Sequence, residues 1–398
     1  MQTLPPLSLY IHVPWCVKKC PYCDFNSHAL PSDAPFNAYV NALIADARAQ
    51  VVLAQGRTIQ SIFIGGGTPS LLPIAEYERL FTALHALYHL APDCEITLEA
   101  NPATVEHAPF AHYVALGINR LSLGVQSFDE PALKLLGRIH HREHAIHAIT
   151  AAKQAGFARL NVDLMHGLPN QTVETALADI QMAQQLGASH ISWYQLTIEP
   201  NTAFYRKPPT LPDDEVLATI EMAGAQALLQ AQFNNYEVSA WTALTDTPCR
   251  HNVNYWQFGD YLAIGAGAHG KVTLASAFVG DRDMPNWQAG GIYRFSKSRT
   301  PKDYLNYDSL SNSYPKFVAV SKLGADELVL EYMLNALRLR AGTTLANFVQ
   351  TTALDPDVLT PTWQRLQEQG LMVRSSTQLA PTAKGFRFLN TLVQAFMP

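Results

Sequence analysis

The sequence predicts an α/β protein, a partial (β/α)6 barrel followed by a C-terminal helical, winged-helix-like module. Three observations carry this. Strand-like and helix-like stretches alternate from the start of the chain to about residue 200. Polar and glycine residues suited to chemistry recur where those strands end. After about residue 320 the pattern changes to the stripe of an amphipathic helix. Strand-then-helix units in series imply a parallel sheet with right-handed crossovers.

In chain order, strands are expected over Leu7–Trp15, Ser61–Ile64, Cys94–Ala100, Arg120–Gln126, Arg159–Met165 and His190–Ile198. Several are near-continuous apolar runs, the signature of strands covered on both faces. Between them, helices are expected over Ala34–Val52, Ala75–Leu90, Val105–Leu116, His141–Ala155 and Val173–Leu186. These units form a core barrel over residues 1–235. Residues 236–320, punctuated by Pro and Gly and rich in Tyr and Trp, are expected to be an irregular connecting subdomain. Residues 321–398 form the C-terminal module. There Val329, Tyr332, Met333, Ala336 and Leu337 make one helical stripe, and a second helix is expected over Asp355–Gln369. Leu371–Arg374 and Gln378–Pro381 read as a hairpin, and Thr382 opens a last helix.

The 398 residues are 48% hydrophobic and 15% charged, a globular balance with ample material for a core. A net charge of −5 argues against nonspecific nucleic-acid binding. Residues 321–398 carry seven Lys/Arg against six Asp/Glu, so a DNA-binding wing is not expected. No apolar run reaches 18 residues and no signal peptide is read, so the chain is expected to be cytoplasmic and not membrane-spanning. Five cysteines, three of them clustered, fit a reducing compartment. Cys94 reads as core filler and Cys249 as incidental in a polar loop.

The chemistry starts at Cys16, Cys20 and Cys23, spaced C-x3-C-x2-C after the first strand. Three thiolates are one short of the four that close an ordinary [4Fe–4S] cluster, which leaves one iron open to a small molecule. Pro21 disfavours helix at Cys20, so the thiols belong on a loop. Structural zinc with His28 as fourth ligand, and unliganded thiols, are the alternatives. Gly65-Gly66-Gly67-Thr68 at the second strand end can bring bare backbone close to a ligand. Glu99, Gln126 and Asp163 end the following strands, where barrels of this kind place their chemistry. They offer hydrogen bonds to an amine or a ribose, and Arg138 can clasp a carboxylate.

The cysteine loop with Gly-Gly-Gly-Thr-Pro resembles a radical S-adenosylmethionine (SAM) protein. Tyr10-x-His12-x-Pro14-x-Cys16, Glu99-Ala-Asn101-Pro102, Gly124-x-Gln126-Ser127, Arg138-x-His140, Asp163-Leu-Met-His-Gly167 and Gly265-x-Gly267-Ala268-His269 narrow the match. They resemble the oxygen-independent coproporphyrinogen III oxidase family over nearly the whole chain. The resemblance implies a radical SAM barrel, a [4Fe–4S] cluster on the three cysteines, and SAM contacts at Tyr10, Tyr22, Gly66, Gly67, Thr68, Glu99, Gln126, Arg138 and Asp163. Two features depart from the oxidases. Phe25 stands where they carry a fourth cysteine, and the arm that precedes their Tyr motif is expected to be lacking. His251-Asn252-Val253-Asn254-Tyr255-Trp256 instead resembles the haem chaperone branch, whose members hand haem to acceptors such as respiratory cytochromes. The oxidase, performing radical decarboxylations, is the alternative. His251 is the expected axial haem ligand, with Tyr255 and Trp256 as apolar walls; a His–Asn pair capping a turn over a packed core is the other reading. His12 and His269 are further candidates, and Arg294, Lys297, Arg299 and Lys302 could meet propionates, with a plain solvated loop as the favoured reading of those four. His140, His141, His144 and His147 read as a solvated helix face.

Overall fold

Alternation within the first strand, β1 (Leu7–Val13), sets the pattern of the fold. Leu7, Leu9, Ile11 and Val13 are fully buried. Between them Ser8, Tyr10 and His12 point the other way, since successive strand side chains face opposite sides of a sheet. The computed structural model describes residues 4–107, 109–279, 287–306 and 317–397. The alternation recurs in β2 (Ile59–Gly66), β3 (Leu90–Ala100), β4 (Arg120–Gln126), β5 (Arg159–His166) and β6 (His190–Gln195). All six strands run parallel in the order β1-β2-β3-β4-β5-β6. Their apolar side packs on α1 (Phe36–Ala54), α2 (Ile74–Leu87), α3 (Phe110–Ala115), α4 (Arg142–Gln154) and α5 (Val173–Gln185) in one continuous core. The other side is polar. Ser8 bonds Ser61 (2.8 Å), and Asn161 joins Ser122 (2.9 Å), Asp163 (2.8 Å) and Ser192 (3.1 Å). The strands are therefore apolar on one face and polar on the other, where near-continuous apolar runs had suggested two greasy faces.

The segment expected to be an irregular connector is instead built into this sheet. Helix α6 (Asp214–Gln230) is capped by Asp213, whose side chain accepts from the Val216 backbone N–H (2.9 Å). It leads into β7 (Phe233–Asn235) and β8 (Ala240–Ala243), which extend the sheet antiparallel beyond β6. After the short helix α7 (Arg250–Trp256), β9 (Asp260–Ile264) returns to the opposite edge and lies parallel to β1. β10 (His269–Leu274), β11 (Gly291–Lys297) and β12 (Phe317–Lys322) follow antiparallel. Among the described residues the sheet has twelve strands in the order β12-β11-β10-β9-β1-β2-β3-β4-β5-β6-β8-β7, an open barrel.

Buried charge ties these added strands to the barrel. Asp46 on α1 meets Lys297 Nζ (2.6 Å) and accepts from the Tyr304 hydroxyl (2.8 Å), all fully or nearly fully buried. Asp260 accepts from Lys271 (2.9 Å) and Arg57 (2.6 Å). Lys297 and Arg294 are thereby accounted for inside the protein, Arg294 pairing with Glu331 and the Tyr261 hydroxyl, so neither is a solvated propionate partner. Cys249 is also no incidental loop residue: its buried thiol donates to Glu95 (3.3 Å), which accepts from the Arg250 backbone as well (2.9 Å). Cys94 packs in the core as expected.

Two other expectations change. The helix expected over Val105–Leu116 is a 3-10 turn at Pro102–His107 and then α3, with Ala108 outside the described residues. Pro109 is itself non-helical, at φ −57° and ψ 133°, and stands ahead of the first turn of α3. In the C-terminal module, α8 (Ala325–Ala336), α9 (Leu345–Thr352) and α10 (Thr360–Glu368) close over Phe258, Tyr332, Met333, Phe348 and Trp363. The expected hairpin is reduced to one bridge between Met372 and Pro381. Gln378–Leu379 pairs instead with Thr343–Thr344. Among the described residues no helix is long and apolar enough to cross a membrane.

Candidate functional site

The cysteine loop is held against the β2 strand end by backbone bonds. Gly67 N–H donates to Val13 O (2.8 Å) and Thr68 N–H to Trp15 O (2.7 Å). Trp15–Cys16 then pairs in parallel with His28–Ala29, which closes the loop. This contact is what the glycines permit. A Cβ on Gly67 would lie 2.5 Å from Trp15 O and 3.0 Å from Cys16 Sγ. A Cβ on Gly66, at φ +122°, would lie 2.7 Å from Val13 O. The glycines therefore serve the chain's own approach as well as any ligand's.

The three half-buried thiols face a cavity of about 470 Å³. Tyr22, Gly66, Gly67, Thr68, Glu99, Gln126, Arg138 and Asp163 line it too. Arg138 Nη1 donates to Cys20 Sγ (3.5 Å) and Nη2 to Gly124 O (2.5 Å), while its buried Nε has no partner. Gln126 sits at φ +73° after a register shift in β4, and accepts from the Tyr194 hydroxyl (2.6 Å). Burial pushes the Cys16 and Cys23 thiols up. Burial, and then the charge of Asp163, push Glu99 up to about 8. Burial also raises Asp163, despite hydrogen bonds from Ser192, Asn161 and Ser122. Burial thus holds both carboxyls of the cavity toward their neutral form. That donor set fits a cationic, amine-bearing ligand beside an iron cluster.

A second cavity, also about 470 Å³, adjoins the first. Phe25, Gly66 and Glu99 belong to both. Tyr10 lines this second cavity rather than the first, its hydroxyl bonded to His12 Nδ1 (2.9 Å). His12 Nε2 meets Asn26 O (2.9 Å), and burial holds the imidazole down to about 4. His269 lines the same cavity, exposed, and held below its usual range by burial and by Arg294 and Arg299. His251 lines neither cavity. Its buried ring lies behind Phe63 (centroids 4.8 Å, 24°) and against Tyr255 (4.8 Å), with Nδ1 unpartnered. The expected haem-ligand position is therefore inside the packed barrel, the core arrangement weighed against it. His28 Nε2 meets Arg299 O (3.2 Å), and among the described residues no three His, Cys, Asp or Glu side chains converge on a single ion. His140 is buried against Val125 O (3.0 Å), so only part of its histidine run is solvated.

Sequence reasoning missed Tyr194, Phe63 and Phe25 as cavity walls. The signal for the first two was period-two alternation: Phe63 shares the inward register of Ser61, and Tyr194 that of Ser192. Phe25 had been weighed only as a missing cysteine.

Comparison with known proteins follows the same outline. Residues 10–183 match the Radical SAM superfamily, and residues 323–388 the HemN C-terminal domain. The heme chaperone HemW of Escherichia coli is 44% identical over 397 residues, covering all of both chains. HemW of Haemophilus influenzae is 44% identical over all of this chain and 99% of its own. The mitochondrial radical S-adenosyl methionine domain-containing protein 1 of Bos taurus is 33% identical over 98% of this chain and 87% of its own. Coproporphyrinogen III oxidase (HemN) of Escherichia coli shares the fold with a TM-score of 0.78, at 24% identity over 99% of this chain and 90% of its own.

Proposed function

The chain belongs to the HemW family within the radical SAM superfamily, and from that premise we propose that it carries haem to acceptor haemoproteins from a scaffold loaded with a [4Fe–4S] cluster and SAM. Cys16, Cys20 and Cys23 hold the cluster by three thiolates. SAM occupies the first cavity, its amine beside Glu99, its polar groups on Gly66, Gly67, Thr68, Gln126 and Asp163, and its carboxylate within reach of Arg138; Tyr22 closes one side. When bound, the pair supplies reductive SAM chemistry, and the chain's part is to orient it and exclude water. The observation that carries the reading is the meeting of three thiols, a carboxyl pushed to about 8 and a buried arginine at one polar barrel mouth. Acceptors of the respiratory cytochrome type and a cytoplasmic setting go with it, the latter supported by five free cysteines.

Coproporphyrinogen III turnover is not expected, because Phe25 is an apolar wall where the oxidases resemble a fourth cysteine. Anaerobic reconstitution tests the whole reading. It should yield about four irons per chain, lost on replacing any of the three cysteines by Ala. Reduced cluster EPR should respond to SAM, ferric haem should bind, and coproporphyrinogen III should survive an assay in which a true oxidase consumes it. Stoichiometric zinc in folded protein, or oxidase turnover matching the control, would refute it.

A further inference from the structure

The second cavity differs in chemistry from the first. Its walls are largely aromatic: Tyr10 and Phe63 lie nearly parallel (centroids 6.4 Å, 24°), with Tyr255 and Phe25 beside them. Phe25 is 62% exposed, a large apolar ring standing at the opening. A volume of about 470 Å³ falls within the range of small-molecule sites, about 300–1,000 Å³. Flat apolar walls suit a flat apolar guest, and the remaining lining residues say what else that guest carries.

Three imidazoles are near enough to consider. His12 has both ring nitrogens engaged, by the Tyr10 hydroxyl and by Asn26 O. His251 is sealed behind Phe63 and Tyr255 and does not reach the lining. His269 is exposed, lines the cavity and has no hydrogen-bond partner among the described residues. Its backbone is fixed: it opens β10 opposite Ser296, and the preceding residue's carbonyl accepts from Lys297 N–H (2.9 Å). Arg299 stands on the same rim. Its carbonyl is held by Asn26 Nδ2 (2.8 Å) and His28 Nε2 (3.2 Å), while its guanidinium has no ion-pair partner among the described residues. A rim imidazole, a rim guanidinium and aromatic walls together match a metal-bearing macrocycle with carboxylate side arms.

We propose that this cavity is the haem seat, with His269 as axial ligand to the iron and Arg299 meeting a propionate. The inference rests on the haem-carrying reading above. An exposed ligand on an open rim suits a cargo that must leave, since an acceptor's own ligand can approach the iron without unfolding the barrel. A neutral imidazole nitrogen donates its lone pair to iron, and a guanidinium takes a carboxylate by paired hydrogen bonds.

The experiment is a ferric haem titration of the full, anaerobically reconstituted chain, read by Soret absorption and haem EPR. Wild type is compared with His269→Ala, His251→Ala and Arg299→Gln. His269→Ala should move the Soret band and weaken binding by at least about tenfold, or 1.4 kcal/mol. Added imidazole should restore the wild-type spectrum. His251→Ala should keep the wild-type ligand signature. Arg299→Gln should weaken haem but not haem dimethyl ester, whose propionates are masked. If wild type binds haem and His269→Ala binds it with the same spectrum and affinity, the seat is elsewhere and the haem-carrying reading stands. Loss of the ligand signature in folded, cluster-bearing His251→Ala has the same meaning. If wild type binds no haem, the proposed function itself fails.

Discussion

At the scale of single residues, Glu99 holds the most informative charge. Its folded pKa near 8 means that it is largely protonated at pH 7 while the first cavity holds only protein. A guest with an ammonium group reverses the balance, because a nearby positive charge favours the ionised carboxyl. SAM binding at pH 7 should therefore release close to one proton. Calorimetry in buffers of different ionisation enthalpy measures this directly, and Glu99→Gln should abolish the release. No buffer dependence in wild type would count against an amine beside Glu99. Residue chemistry of this kind was legible in the sequence where it sat at strand ends: the cysteines, Gly66, Glu99, Gln126 and Asp163 do meet in one cavity. Tyr10 and His251 were not legible. Tyr10 departs because strand alternation and its bond to His12 turn it into the neighbouring cavity. His251 departs because a motif of one His and two aromatics looks the same whether the rings wall a pocket or fill a core.

At the scale of elements, α1 and β11 depend on one another through Asp46 and Lys297. Both are fully buried, and burial already lowers the lysine's pKa against the pull of the carboxylate. Removing one charge deprives the other of its buried counter-charge, which costs about 3–5 kcal/mol. Asp46→Asn should lower the urea-unfolding free energy by that amount. The double variant Asp46→Asn with Lys297→Met should recover most of it, and equal losses in the single and double variants would deny the pairing. The added strands were the largest misreading of the sequence, and for a physical reason. β9 is a short strand whose partner β1 lies some 250 residues earlier, so no local pattern announces the pairing. The anchors were charged residues inside strand-like runs, Asp260, Lys271 and Lys297, which read locally as surface.

For the whole molecule, acid sensitivity follows from its buried histidines. Burial holds His12, His166 and His190 down to about 4, and His140 and His251 to about 3. Unfolding returns each toward 6.5, so below that pH the unfolded chain takes up protons that the folded chain refuses. Stability present above about pH 6.5 is then lost as pH falls toward 4, at about 1.4 kcal/mol per pH unit for each net proton. Glu99, Asp163, Asp179 and Glu237 have raised pKa values and act in the opposite sense, but these four are fewer than the six imidazoles that burial lowers, His269 among them. The urea midpoint of thiol-reduced protein, followed by circular dichroism, should fall between pH 6.5 and 5. His140→Gln, which can still donate to Val125 O, should flatten that fall; a midpoint that rises over the same interval would mean the carboxyls dominate. Fold class was legible at this scale from the β/α alternation alone, whereas the polar barrel interior needed the direction of each side chain.

The partition of Phe25, Gly66 and Glu99 has one face in each chamber. On the assignments proposed above, the two guests therefore cannot be thermodynamically independent. Whatever one guest does to the partition's charge or position alters the other's affinity, and the effect is equal in both directions. The charge that Glu99 gains arrives together with the ammonium that displaced its proton, so the position of the shared wall carries the linkage as much as its charge does. Filling one chamber then changes how tightly the other holds its guest, a heterotropic linkage within a single chain.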